Sequence, residues 1–302
     1  MTTTSTLIPV LHLINAHERD QNIKFYEKGH KYEIITDPLS KYTSVTTWNH
    51  SHFPKFDADE VILNIMRSKS WKEGHKYWGL TRQQIKDSWN KTRDAAAGSG
   101  TNMHYEIECF MNNPYVQPNY THKELYENYR MTTVGRENPN NTVEWQYFLQ
   151  FVKDTPHLKP YRTEWMIYHE ELKLAGSIDM VYENPDGTLS IYDWKRALNI
   201  TKINGWNKFA ITKCICHLPD SNFWHYALQL NTYRAILESK YGKIVTHLNL
   251  VKIHPDAEEK TYEVINVPIL DTEISELFQE KETKETKETK ETKETKETKE
   301  TK

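Results

Sequence analysis

The alternation of apolar and polar positions predicts most of the elements before any chemistry is considered. Residues 22–47 alternate and carry Phe25, Tyr32, Ile34, Ile35 and Val45, which predicts a short hairpin. Asp57 followed by Glu60 reads as a capping box, and Val61, Ile62, Ile65 and Met66 then recur at helical spacing. Residues 81–95 read as a second helix, with Ile85 and Trp89 four apart. Gly98-Ser99-Gly100 is read as its break, and a third helix starts at once over 101–111. Trp145, Phe148, Leu149 and Val152 give 142–154 an apolar helical face. Residues 162–194 read as a three-strand meander, and 222–239 as a helix stopped at Gly242. Strands follow at 244–254 and 261–267, with a short last helix at 274–279. The order predicts an α+β fold: a mixed, antiparallel-rich sheet flanked by helices. We read residues 1–280 as a single domain, with a hairpin and helical lid at 1–95 ahead of a core at 96–270.

Composition changes the picture only at the C-terminus. The mean hydropathy is −0.80, yet aromatics make up 12% of the chain, enough for a packed core. From Lys281 to Lys302 the sequence is Lys-Glu-Thr triplets with no apolar residue, which predicts a disordered, solvated tail. The tail holds 8 Lys and 7 Glu; removing them from totals of 39 basic and 42 acidic residues leaves 31 and 35, a net −4. A chain that coats duplex DNA indiscriminately is usually basic, so any nucleic-acid site here is expected to be a local groove. Three cysteines, Cys109, Cys214 and Cys216, argue against a disulfide framework and fit a reducing, intracellular compartment. The apolar run at 7–14 is interrupted by His12 and is too short to span a membrane, and no membrane partner is expected.

The candidate chemistry centres on 176–195. Asp179 lies on one predicted strand, a turn follows at Asn184-Pro185-Asp186-Gly187, and a second strand ends in Asp193-Trp194-Lys195. Alternation puts Asp193 and Lys195 on one face with Trp194 turned away. With the turn centred near Pro185-Asp186, Asp179 falls opposite Asp193. Two carboxylates so close repel unless a cation sits between them, and Mg²⁺ favours such oxygen ligands. His104 and Glu108 share a helix face, as do Gln229 and Tyr233, although on spacing alone a surface His–Glu pair and a core tyrosine fit better. Trp71, Trp78 and Trp89 offer stacking surfaces in the lid. Cys214-x-Cys216-His217 with His225, and His50 with His52, match no familiar zinc spacing.

In order, the chain reads Gly100-Thr101-x-x-His104-x-x-x-Glu108, Gly176-Ser177-Ile178-Asp179, Asp193-Trp194-Lys195 and Gln229-x-x-x-Tyr233. This resembles the PD-(D/E)xK nuclease superfamily, in its RecB-like exonuclease branch, over about residues 95–240. Gly29-His30-x-Tyr32 and Ser44-Val45-Thr46 resemble the N-terminal region of phage-type members. The resemblance implies a restriction-endonuclease-like core and a divalent-metal-dependent DNA exonuclease, acting on single strands or ends in replication, recombination or repair. Mg²⁺ or Mn²⁺ would be held by Asp179, Asp193, the Trp194 carbonyl and His104, with Lys195 orienting the water and a 5′-phosphate left behind. Gln229 and Tyr233 would brace the site and the nucleic-acid backbone, and Glu108 and Glu164 are lesser candidates. Some members hold an iron–sulfur cluster on four cysteines; with three, none is expected here. An endonuclease or flap nuclease on the same residues stays open, as does a noncatalytic nucleic-acid-binding protein. Deleting residues 281–302 is expected to leave cleavage activity unchanged, and a large loss in a cleavage assay would contradict the reading of that tail.

Overall fold

The computed structural model describes residues 10–114, 116–133 and 140–300. Leu7 to Pro9 of the N-terminal apolar run, and Thr301 and Lys302 of the tail, lie outside the described residues. Val10–Ile14 forms a short helix, α1, and a 3-10 turn at Glu18–Asn22 leads into the predicted hairpin, β1 (Ile23–Tyr26) and β2 (Lys31–Ile34). A two-residue strand β3 (Thr43–Ser44) runs into α2 (Val45–His50). Asp57 caps α3 (Ala58–Arg67) by accepting the N–H groups of Asp59 and Glu60. Helix α4 (Arg82–Met111) opens on a capping box between Thr81 and Gln84. Then come α5 (His122–Thr133) and α6 (Val143–Asp154), and the meander β4 (Lys159–His169), β5 (Leu174–Glu183) and β6 (Leu189–Lys195). Helix α7 (Asn222–Lys240), β7 (Val245–Lys252), β8 (Glu263–Asn266) and α8 (Asp271–Glu300) complete the chain. Gly242, at φ 59°, takes the left-handed conformation that ends α7.

Two expectations change, and one helix is added. Residues 82–111 form one helix of about 45 Å, not two. Ile85 is fully buried at one end and Met103, Ile107, Phe110 and Met111 at the other, so both ends are fixed by packing. Alanines 95–97 precede Gly98 and Gly100, and a cost of about 1 kcal/mol per glycine does not outweigh two anchored ends. Helix α5 had no clear apolar stripe because it buries only His122 and Leu125. The stretch 281–300 continues α8 instead of forming an irregular tail. Its triplets put a glutamate four residues after each lysine from 281 to 296, as in the Lys281–Glu285 pair at 2.8 Å, which supports a helix without any core.

The fold is α+β, with a mixed sheet covered on both faces. Helices α2, α7 and α8 pack on one face around Trp48, Phe223, Leu228, Ile236 and Leu277. Helices α4, α5 and α6 pack on the other around Ile107, Leu125, Phe148 and Phe151. The strand order is β3-β5-β6-β7-β8, with β4 along the other edge of β5; β3–β5 and β6–β7 are parallel and the remaining pairs antiparallel.

The centre of the sheet has two irregularities. On one edge of β5, β3 pairs with Leu174 and Ala175, and β6 pairs only from Met180 to Glu183. Residues 176–179 therefore face a gap. The strands also change face there: Ile178 packs with the α7 side but Met180, two residues on, with the α4 side. On β4, Thr163 bonds Asn112 at the end of α4, whereas Trp165 belongs to the α7 side. Glu164 between them has φ 42°, a left-handed conformation costing about 1–3 kcal/mol for a non-glycine residue.

A Cβ at Gly98 or Gly100 would meet nothing within 4 Å. Gly98→Ala and Gly100→Ala should therefore each stabilise the protein by about 0.5–1 kcal/mol, measured by urea unfolding. A loss of stability would show that the helix is broken there.

Candidate active site

The site forms at the gap. The β5–β6 ladder pairs Met180 with Tyr192, a register that sets Asp179 opposite Asp193 as the turn predicts. Beyond Tyr192 the two strands part, and Trp194 and Lys195 pair with β7 alone. Asp179 fills the opening: its Oδ2 accepts the Trp194 backbone N–H at 3.0 Å, in place of a ladder bond. Trp194 itself points to the α6 side, in edge contact with Phe148 and Phe151. That leaves Asp193 and Lys195 on the α7 face.

Asp193 is 2% exposed, and Lys195 Nζ lies 2.5 Å from its Oδ2. The pair is a close, buried ion pair. The ammonium also sits 4.6 Å above the Tyr226 ring. His104 enters from α4: its Nε2–H donates to the Trp194 carbonyl at 3.0 Å, and its Nδ1 lies 3.6 Å from Asp179 and 3.8 Å from Glu164. Those last distances are too long for hydrogen bonds but short for electrostatics. Ser177 donates to Glu164 Oε2 at 3.0 Å.

The charges follow from the crowding. Burial disfavours every ion here. It pushes Asp179 up against the pull of His104 and Lys195, and pushes Asp193 up against Lys195. Burial would lower His104, but Asp179 and Glu164 outweigh it and raise its pKa to about 9. Glu108 rises to about 7, through burial and then the Glu164 charge. Burial also opposes the Lys195 charge, yet Asp193 and Asp179 raise its pKa, so it stays an ammonium.

Most of the expected residues converge, with changes of rank. Ligand atoms of His104, Glu164 and Asp179 all lie within 4.8 Å of one another, a set able to hold a cation. Glu164 thus stands inside the group, and Asp193 stands beside it, turned to Lys195. The Trp194 carbonyl, expected as a metal ligand, is occupied by His104. Tyr233 is 3% exposed, so it braces from inside and offers no surface to nucleic acid; its hydroxyl accepts from Gln229 Nε2 at 3.1 Å. Gly176 exists for this ring: a Cβ there would lie 2.7 Å from Tyr233 Cε1. Tyr226 was not foreseen, although its spacing of three and seven from Gln229 and Tyr233 puts all three on one face of α7.

His217 bonds Glu273, while His225 bonds Asp220 and His50, so these imidazoles face different partners. His52 bonds Thr212. His169, Glu170 and Glu171 also come close together, but Arg19 and Lys240 neutralise the two glutamates. Between α3 and α4, Trp71 and Trp78 lie 5.5 Å apart, and Trp89 of α4 donates to the Tyr77 hydroxyl at 2.9 Å. Half-buried Trp89 and exposed Phe56 border a groove of about 500 Å³ with Lys86 and Arg93. Residues 55–95 hold nine basic and six acidic side chains, against a net −3 for the chain. No helix among the described residues is long and apolar enough to cross a membrane.

No protein-family model matches the chain, and no curated protein matches it.

Gly176→Ala should destabilise the protein by about 1–3 kcal/mol, because the tyrosine beneath it cannot withdraw from a packed core. An unchanged urea midpoint would refute the contact.

Proposed function

We propose that the protein is a divalent-metal-dependent nuclease that hydrolyses DNA phosphodiester bonds, an exonuclease acting on single strands or ends in replication, recombination or repair. The observation that carries this is the His104–Glu164–Asp179 group, whose ligand atoms all lie within 4.8 Å of one another, beside the buried Asp193–Lys195 ion pair. Carboxylates crowded together in a buried site call for a cation, and carboxylate oxygens around one imidazole suit Mg²⁺ or Mn²⁺. The same residues on a strand hairpin between two helices support a restriction-endonuclease-like core.

Glu164 and Asp179 would hold the ion, with Asp193 joining from across the gap and His104 fixing Asp179 by charge. Bound there, the ion would act as a Lewis acid on the phosphate and lower the pKa of water. Lys195, kept cationic by Asp193, orients the attacking water and opposes the negative charge that develops on the phosphoryl oxygens. It is not placed as a base. Tyr226 limits the swing of its ammonium, and Tyr233 with Gln229 holds the β5 edge in place. The basic, aromatic lid supplies cations and ring faces for unpaired bases, which favours single strands.

The test is cleavage of labelled single- and double-stranded DNA with Mg²⁺ or with EDTA. Metal-dependent cleavage is expected, falling by about 10²–10³-fold in Asp193→Ala and Lys195→Ala. No metal-dependent cleavage of any substrate by the wild type would overturn the reading. Cutting of a circular single strand would make the activity endonucleolytic.

A further inference from the structure

A cavity of about 480 Å³ lies between the β1–β2 hairpin and β4. Glu164, Ser177 and Glu108 form its floor, so it shares a wall with the carboxylate cluster. Its other walls are of different chemistry. Phe25 meets His30 edge-on at 4.9 Å and Tyr32 at 4.8 Å, and Met166 closes the β4 side. Tyr32 is 6% exposed, yet its hydroxyl makes no hydrogen bond among the described residues. Thr163 and His12 add polar edges. Tyr32, Phe25 and Met166 also pack in the cluster of Ile23, Ile34, Tyr42 and Tyr168 that holds the hairpin on the sheet, but a cluster built for stability alone would close on the open volume beside them.

We propose that this cavity is a nucleoside subsite: it takes the sugar and base of one unpaired nucleotide whose phosphate lies at the carboxylate cluster. The proposal rests on the phosphodiesterase reading for the position of that phosphate. The volume falls within the range of small-ligand pockets. Phe25 and His30 offer ring surfaces to a base, and Met166 adapts to either purine or pyrimidine. The Tyr32 hydroxyl, Thr163 and His12 supply polar contacts at the rim of a base or a sugar. Access to a base face requires an unpaired nucleotide, in agreement with the single-strand preference proposed above.

The test is calorimetric titration of the full chain, with Mn²⁺, against a 2′-deoxynucleoside 5′-monophosphate and against 2-deoxyribose 5-phosphate, the same ligand without its base. The base should improve affinity by about tenfold, within what one stacked base contributes. Phe25→Ala empties the ring wall and Met166→Trp fills the cavity; each should cut the base-dependent gain to under about threefold. Thermal unfolding of both variants checks that the hairpin remains folded, and because the two act in opposite ways a shared loss is not a shared packing defect. Equal affinity of the two ligands for the wild type, or a gain that survives both substitutions, would overturn the subsite. A base-dependent gain in a protein that cleaves no DNA would sink the nuclease reading and leave the subsite standing.

Discussion

Three carboxylates, Asp179, Asp193 and Glu164, crowd around one histidine, His104, and one lysine, Lys195, with Glu108 close enough to Glu164 to feel its charge. Burial raises the cost of every charge there, and the arrangement persists because each ion is held by a different neighbour. Asp193 has Lys195, Asp179 has the Trp194 N–H and the His104 charge, and Glu164 has Ser177. The cation deficit still shows. Asp179, Asp193 and Glu108 are all pushed upward. On the proposed reading, a divalent ion at the site would relieve that repulsion.

The deficit can exist because the sheet does not close. Between the ends of β3 and β6, β5 has no partner, and the Asp179 side chain stands in for the missing ladder bond. Both strands of the β4–β5 pair change face at that point, which turns Glu164 and Asp179 toward the same volume. The left-handed Glu164 marks the strain. Helices on opposite faces then each contribute polar groups: α4 sends His104 through to Trp194, and α7 sends Tyr226 up to Lys195. Gly176 lets α7 approach closely enough for Tyr233 to support the gap from below.

How much of this was legible follows from which physical signals are local. The hairpin turn fixed the register, so the opposition of Asp179 and Asp193 followed from counting, and the helix caps at Asp57 and the stop at Gly242 lay where their chemistry put them. The face change was not legible. Ile178 and Met180 flank Asp179 as they would in an ordinary strand, and only the three-dimensional packing reveals that they point opposite ways. Glu164 was ranked low for the same reason: its closeness to Asp179 depends on the β4–β5 register, which no short turn specifies. The glycines of α4 misled because propensity is local, whereas that helix is held by tertiary contacts at both ends.

The continuity of α4 matters beyond the fold. Arg93, Ala97, Gly100 and His104 follow at spacings of four, three and four, so they lie along one face of the helix. The groove bordered by Trp89 and Arg93 and the imidazole at the carboxylate cluster are thus two stations on one rigid rod, about 16 Å apart. The residues between them are small, which leaves the helix backbone bare along that line. On the proposed reading this separates two opposed electrostatic tasks. A polyanion is attracted by the basic lid, where residues 55–95 are net positive, and not by the acidic cluster, which repels it until a cation is present. An acidic chain can then act on an anionic substrate without a basic catalytic centre. The cost is that binding and chemistry sit on different parts of the helix and depend on its staying straight.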